Sequence, residues 1–266
     1  MNFTEYEGKR VVVTGVSSGI GEATARALID LGAEVHGVSR RKPEGLDLAG
    51  FDSVDLGDPE AIRAAYGNRD EHVDALFNCA GLAPMFPPMD VLKVNFLGTR
   101  LLTELVATNM TDGGAVVSTS SDGGAAWRKR VPLLTEFLNV ESFEDGAAWY
   151  EQNEEVAGHA YAFGKEALDL WTMQQSAALI QRGIRINATT PGSVRTPMLD
   201  VIEKTYPKEL SAATEQPIGR ASTAEEQVPP LLFLNSSEAS YINGADLVVD
   251  GGYGALLSSA GHLFNA

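Results

Sequence analysis

Tyr161 and Lys165 stand four positions apart in Tyr161-Ala162-Phe163-Gly164-Lys165. On a helix that spacing puts both side chains on one face. A tyrosine at its ordinary pKa of ~10 is a poor base at neutral pH. An ammonium ~4 Å away, at an effective dielectric near 20, favours the phenolate by about 4 kcal/mol. That is roughly three pKa units, enough to make the phenol a proton donor and acceptor near neutrality. Taken alone, the same spacing also describes a helix with its tyrosine inward and its lysine in water. Two further groups add to it. Ser118-Thr119-Ser120-Ser121 closes a run of strand character, where a hydroxyl could hydrogen-bond a carbonyl beside Tyr161. Asn95, polar inside the apolar stretch Val94-Asn95-Phe96-Leu97-Gly98, invites a backbone or water contact.

A second set of residues points to a nucleotide. Thr14-Gly15-Val16-Ser17-Ser18-Gly19-Ile20-Gly21 lies between an apolar β-branched run and a helical stretch. Gly15 permits a tight turn there, and Gly19 and Gly21 would let backbone approach a pyrophosphate at the helix N-terminus. At the end of the next strand, in Gly37-Val38-Ser39-Arg40-Arg41, an acidic residue would bind a ribose 2′-hydroxyl and signal NAD. A serine followed by two arginines instead accepts a 2′-phosphate. Charged hydrogen bonds of about 1.5–3 kcal/mol, or about ten- to a hundredfold in affinity, favour NADP(H) over NAD(H). Asp55-Leu56 is placed to meet the adenine, with Asp55 accepting from its amino group. Asn78-Cys79-Ala80-Gly81 would set small residues beside the same adenosine, with Asn78, Ala80 and Gly81 as contacts.

These groups need a scaffold that gathers loops at one edge. Strand runs are predicted at 10–14, 34–38, 73–77, 114–118, 185–188 and 246–250, and helices at 21–31, 94–109 and 161–181. Such alternation predicts an α/β fold: one doubly wound, Rossmann-type parallel sheet with helices on both faces, in a single domain over 1–266. Residues 122–158 break the rhythm. Leu133-Leu134…Phe137-Leu138 and Phe143…Trp149-Tyr150 read as two short helices, a packed insertion or a substrate wall. Residues 193–218, after Pro191-Gly192, read as a substrate lid. Met85, Phe86, Trp127, Trp149, Met198 and Tyr206 are candidates for an apolar or aromatic pocket.

With 36 acidic against 20 basic residues the formal charge is −16, an unlikely match for nucleic acid or an anionic membrane. One cysteine, Cys79, excludes an internal disulfide, and the four histidines have no ligand spacing, so no metal is expected. Neither a basic-then-apolar leader nor an apolar run of ~18 residues is seen, and the expected location is the cytoplasm, by elimination.

Taken in order, the glycine turn, Asn78-Cys79-Ala80-Gly81, Asn95, the paired serines, Tyr161 with Lys165, Pro191-Gly192 and Asp250-Gly251-Gly252 resemble the short-chain dehydrogenase/reductase family. Val12 to Ser18 and the insertion ending at Trp149-Tyr150-Glu151-Gln152-Asn153 are similar to its coniferyl-alcohol and 3α-hydroxysteroid dehydrogenase members. The resemblance implies a tetrad of Asn95, Ser121, Tyr161 and Lys165, with Thr196 and the Val194 backbone on a nicotinamide carboxamide. It also implies an alcohol or carbonyl substrate and a homodimer or homotetramer. Ser39 stands where NAD-using members carry Asp, and Pro229-Pro230 interrupts a late helix. Two other functions share these features: a 3-ketoacyl-type reductase, and an NADP-sensing regulator without turnover.

Overall fold

Three consecutive valines in β1 (Arg10–Thr14) have no exposed face to occupy, so this strand lies at the sheet centre between β2 (Glu34–Ser39) and β4 (Val73–Asn78). The computed structural model describes residues 4–205 and 216–260. Its main sheet has seven strands, ordered β3-β2-β1-β4-β5-β6-β9, with every pairing parallel. The others are β3 (Gly50–Ser53), which α2 (Pro59–Tyr66) follows, β5 (Met110–Thr119), β6 (Arg185–Pro191) and β9 (Asp246–Val249). Apart from it, β7 (Val194–Arg195) and β8 (Ser222–Thr223) pair with each other. The main sheet is the doubly wound α/β sheet expected. β3 was not foreseen: Gly-Phe-Asp-Ser has no β-branched residue, and pairing to β2 alone makes it a strand.

Alternate side chains of β1 enter opposite cores, as the twofold strand period requires. Val11 and Val13 pack with Leu28 of α1 (Gly19–Asp30) and with Leu231 of the late helix Ala224–Asn235. Val12 packs in the other core, with Leu92, Phe96 and Phe163. Pro229 and Pro230 lie within Ala224–Asn235 without ending it. Pro229 is exposed, and Val228, Leu231, Leu232 and Leu234 bury the opposite side. A capping box between Thr223 and Glu226 starts this helix.

The helix predicted at 94–109 begins earlier and is not uniform. It runs through α3 (Pro88–Leu92), a π-helical turn over Lys93–Gly98 and α4 (Thr99–Ala107). In the wide turn the Thr99 hydroxyl donates to Val94 O, five residues back, at 3.2 Å. A π-turn adds a residue to the helix and is often found at functional sites; this one contains Asn95.

The insertion forms α5 (Val131–Leu138), which lies against α7 (Ala160–Leu179), and α6 (Phe143–Ala157), which packs on α5, α3 and the π-turn and reaches α7 through its aromatic rings. Phe163 is their meeting point: Phe137 lies 4.9 Å from it between centroids, and Trp149 stacks on it at 5.9 Å. Arg130 closes the join. It donates to Glu166 at 2.7 Å and to the carbonyls of Val156 and Ala157 at 2.9 and 2.7 Å. Glu166 is almost wholly buried, so the guanidinium neutralises a charge that water cannot reach. Removing one partner of such a pair leaves the other uncompensated. Arg130→Ala is therefore expected to lower unfolding free energy by about 3 kcal/mol in urea denaturation, and Arg130→Ala/Glu166→Gln to recover part of it.

Candidate functional site

A large cleft of about 1380 Å³ opens at the C-terminal edge of the sheet. It lies where strand order reverses between β1 and β4, the usual ligand crevice of a doubly wound sheet. At the β1 end the Thr14 hydroxyl accepts from Cys79 N and Ala80 N, both at 3.0 Å, and so holds the two strand ends together. Gly15 has φ +75°, and a Cβ there would sit 2.9 Å from the Ala80 backbone. Ser17, Ser18, Gly19 and Ile20 continue the cleft wall. Thr196 covers this turn, since a Cβ on Gly19 would meet its Cγ2 at 3.1 Å.

Two expected cofactor residues lie elsewhere. Gly21 is buried under the turn, where a Cβ would collide with the Gly15 carbonyl, so its role is packing of helix on strand. Asn78 is buried between β4, β5 and α4. Its Nδ2 donates to Thr103 Oγ1 at 2.8 Å and to Ser118 Oγ at 3.2 Å. Neither lines the cleft. Ala80 and Gly81 do line it, as do Ser39, Arg40, Arg41, Asp55 and Leu56 at the far end. There the Ser39 hydroxyl donates to Arg41 O at 2.6 Å, and Arg40 lies 3.9 Å from Asp55 with most of its guanidinium in water. Asp55 Oδ1 also accepts from Gly57 N at 2.9 Å.

At the near end Asn95, Ser121, Tyr161 and Lys165 line one cavity with Pro191, Gly192, Val194 and Thr196. Asn95 is clamped to one residue: its Oδ1 accepts from Leu82 N at 2.7 Å and its Nδ2 donates to Leu82 O at 3.0 Å. Its amide is thereby committed to backbone. Ser121 lies next to Tyr161 in the cleft and opposes the rise of its pKa, whereas the hydroxyl of Ser120 and the carboxyl of Asp169 are buried with no hydrogen-bond partner among the described residues. Gly123 leaves the space Tyr161 needs, for a Cβ there would meet the ring at 3.1 Å.

The electrostatics differ from the simple tyrosine–lysine picture. Lys165 Nζ donates to Thr119 O at 2.7 Å, and burial pushes the ammonium down to about 8 against the opposing pull of Asp169 and Cys79. Burial, reinforced by the Asp122 carboxylate, raises the Tyr161 phenol above its ordinary range, while Ser121 opposes. The expected depression of Tyr161 by Lys165 is not among the effects acting on this phenol, whose direction is set first by desolvation.

Asp122 is the residue that sequence reasoning missed. Its carboxylate lines the cleft and Oδ1 accepts from Ser121 Oγ at 3.1 Å. The signal was a carboxylate directly following Ser121. The expected aromatic pocket is also corrected. Trp127 is buried under Arg128, Trp149 belongs to the Phe163 cluster, and neither reaches the cleft. Of the insertion, only Asp122 lines it; α5 and α6 pack on the Phe163 cluster instead. His159 is exposed outside the cleft. Leu82, Pro84, Val94, Met198, Leu199 and Ile202 supply apolar walls, the last three from α8 (Pro197–Thr205). Tyr206 and positions 206–215 of the expected lid lie outside the described residues.

Comparison with known proteins identifies the class. Residues 9–133 match the short chain dehydrogenase family profile, and residues 144–254 match the one described as Enoyl-(Acyl carrier protein) reductase. The chain belongs to the short-chain dehydrogenase/reductase family. It is 39% identical to a coniferyl-alcohol dehydrogenase of a Pseudomonas species, over 93% of this chain and 97% of that protein. It is 30% identical to the 3-alpha-hydroxysteroid dehydrogenase/carbonyl reductase of Comamonas testosteroni, over 93% and 97% of the two chains. A 3-alpha-hydroxysteroid dehydrogenase from a Pseudomonas species, solved with NADH, superposes with a TM-score of 0.79 at 28% identity, covering 94% of this chain and 99% of that one. The protein is accordingly an oxidoreductase acting on CH–OH groups, of a family that uses nicotinamide cofactors. Among the described residues no helix is long and apolar enough to cross a membrane.

Asp169, beneath Lys165, makes a stability test. Burial and the nearby Asp246 carboxylate hold its pKa well above the ordinary range. Between the ordinary value of ~3.9 and the raised one, the folded chain keeps a proton that the unfolded chain has lost, so stability falls as pH rises through that window. Thermal melts of Asp169→Asn across pH should fall less steeply than those of the parent chain above about pH 4.

Proposed function

We propose that this protein transfers a hydride reversibly between NADP(H) and a primary or secondary alcohol/carbonyl pair, on an apolar substrate of coniferyl-alcohol or hydroxysteroid type. The observation that carries the reading is one cleft in which a glycine-rich turn at a helix N-terminus shares its walls with Ser121, Tyr161 and a buried Lys165. The fit to a dinucleotide rests on the turn before α1, where Gly15 and Gly19 take positive φ and pack closely against Ala80 and Thr196 at the helix N-terminus. Ser17, Ser18, Ile20 and the Gly19 backbone would hold that group, with Thr196 and Val194 on the nicotinamide. The bound cofactor supplies the hydride acceptor or donor.

In this reading Tyr161 exchanges the proton with the substrate oxygen, and Ser121 orients and polarises that oxygen. Lys165 keeps two N–H groups beyond its bond to Thr119 O, enough for the ribose hydroxyls of a nicotinamide nucleoside. With its amide committed to Leu82, Asn95 contributes to a proton relay through the backbone of its wide turn. Arg40 and Arg41 favour a 2′-phosphate, since Arg40 remains mostly exposed despite Asp55. The walls from Leu82 to Ile202 support an apolar substrate, and α8 supports the role of 193–218 as its cover.

The chain forms one catalytic unit with its insertion and assembles with copies of itself, as a dimer or tetramer. Edge strand β9 supports this, with Leu247 and Val248 exposed beside Leu256. Part of the α7 face is already covered by α5, and by Trp149 and Tyr150 of α6 at Phe163. A cytoplasmic location is supported by a lone cysteine in the whole chain.

Tyr161→Phe should lower kcat by about 10²–10⁴-fold with cofactor affinity unchanged, read by steady-state kinetics and cofactor fluorescence. Unchanged turnover would overturn the assignment. Arg40→Ala/Arg41→Ala should weaken NADPH binding by about tenfold or more while sparing NADH. A panel of steroidal and phenylpropanoid alcohols and carbonyls, run with both cofactors, tests cofactor and substrate together.

A further inference from the structure

The hydrogen bonds around Ser121 leave one proton with two claimants. Gly123 N donates to Ser121 Oγ at 3.1 Å, Asp122 Oδ1 lies 3.1 Å from the same oxygen, and Tyr161 is its third neighbour. A hydroxyl offers one proton and two lone pairs. An ionised Asp122 can only accept, so it takes the Ser121 proton, and Ser121 then meets the cleft through its remaining lone pair alone. A protonated Asp122 donates to Ser121 instead. With both lone pairs filled by Gly123 N and Asp122, the Ser121 proton must turn toward the cleft.

We propose that Asp122 is a positioning residue that sets the direction of the Ser121 hydrogen bond, so that Ser121 polarises a substrate oxygen only while the Asp122 carboxyl keeps its proton. The inference rests on the reading of Ser121 and Tyr161 as the reacting pair. The substrate oxygen carries more negative charge in the hydride-transfer transition state than in either the neutral carbonyl or the neutral alcohol, and a donor aimed at that oxygen stabilises it while a lone pair repels it.

The surroundings favour the protonated form of Asp122. From α7, Tyr161 faces Asp122, Lys165 is turned to Thr119 O, and Asp169 faces Gly124 across the turn. From the segment after β9, Asp250 adds a second carboxylate, itself tied to Gly252 N and Gly254 N. Burial and Asp250 raise the Asp122 carboxyl above the ordinary carboxylate range, and no described cation is bonded to it.

Asp122→Asn tests the idea, because an amide N–H donates to Ser121 at every pH. For carbonyl reduction, kcat/KM of the parent protein should fall along a limb whose midpoint lies above the ordinary carboxylate range. Asp122→Asn should lack that limb and run about fivefold higher beyond it. Asp122→Ala, which also frees the Ser121 proton, should lose the limb too and provides a second variant if the amide disturbs folding. A ¹³C titration of the cofactor-free protein should show the Asp122 carboxyl with the same midpoint, and the Tyr161 phenol titrating lower in Asp122→Asn. Superimposable pH profiles in active proteins, or an Asp122 that titrates as an ordinary carboxylate, overturn this inference alone. A parent protein inert toward every carbonyl overturns the hydride-transfer reading and this inference together.

Discussion

Everything in the cleft depends on how closely the ends of β1 and β4 are held. The Thr14 hydroxyl takes both the Cys79 and the Ala80 N–H groups, and Gly15 passes so near Ala80 that no side chain fits between them. Parallel strands cannot turn back on one another, so each must leave the sheet at the same edge through its own loop. The Thr14 bonds bring two of those loops together where the order reverses, and the crevice lies directly beyond. The glycine turn, the Ser121 loop and the Pro191-Gly192 segment take their places from the parallel register that follows.

Behind that crevice the protein buries more titratable groups than packing requires. Lys165, Asp169 and Tyr161 all feel desolvation as the leading effect, and each is shifted toward its neutral form. Desolvation of this kind is offset by any opposite charge brought alongside, so the protonation of these groups is sensitive to what lies next to them.

Much of this was legible in the amino-acid order. The buried β-branched runs located the central strands, and Tyr161-x3-Lys165 placed two groups on one helical face. What periodicity cannot supply is the direction of a side chain's last atoms. Lys165 reaches Thr119 O because β5 ends there, a fact of tertiary register. Asn78 and Gly21 sit in motif segments beside the cleft, yet one points between strands and the other under a turn. Polarity and smallness serve interior fit as well as ligand contact. Trp127 and Trp149 were equally ambiguous, because an aromatic in an insertion reads alike whether it faces a ligand or Phe163. The wide turn at Asn95 was hidden because one extra residue hardly alters the apolar pattern.

The aromatic cluster around Phe163 also constrains how this chain could change over time. Loops between strand and helix ordinarily tolerate gains and losses of residues because little packs on them. Here Phe137 and Trp149 from the insertion share one apolar body with Phe96 and Phe163 of the scaffold helices. A shorter descendant that dropped either inserted helix would bare those rings beside the residues that hold Tyr161. Length in this segment is thus inherited as part of the core, and drift in it is confined to the outer face of α5 and α6.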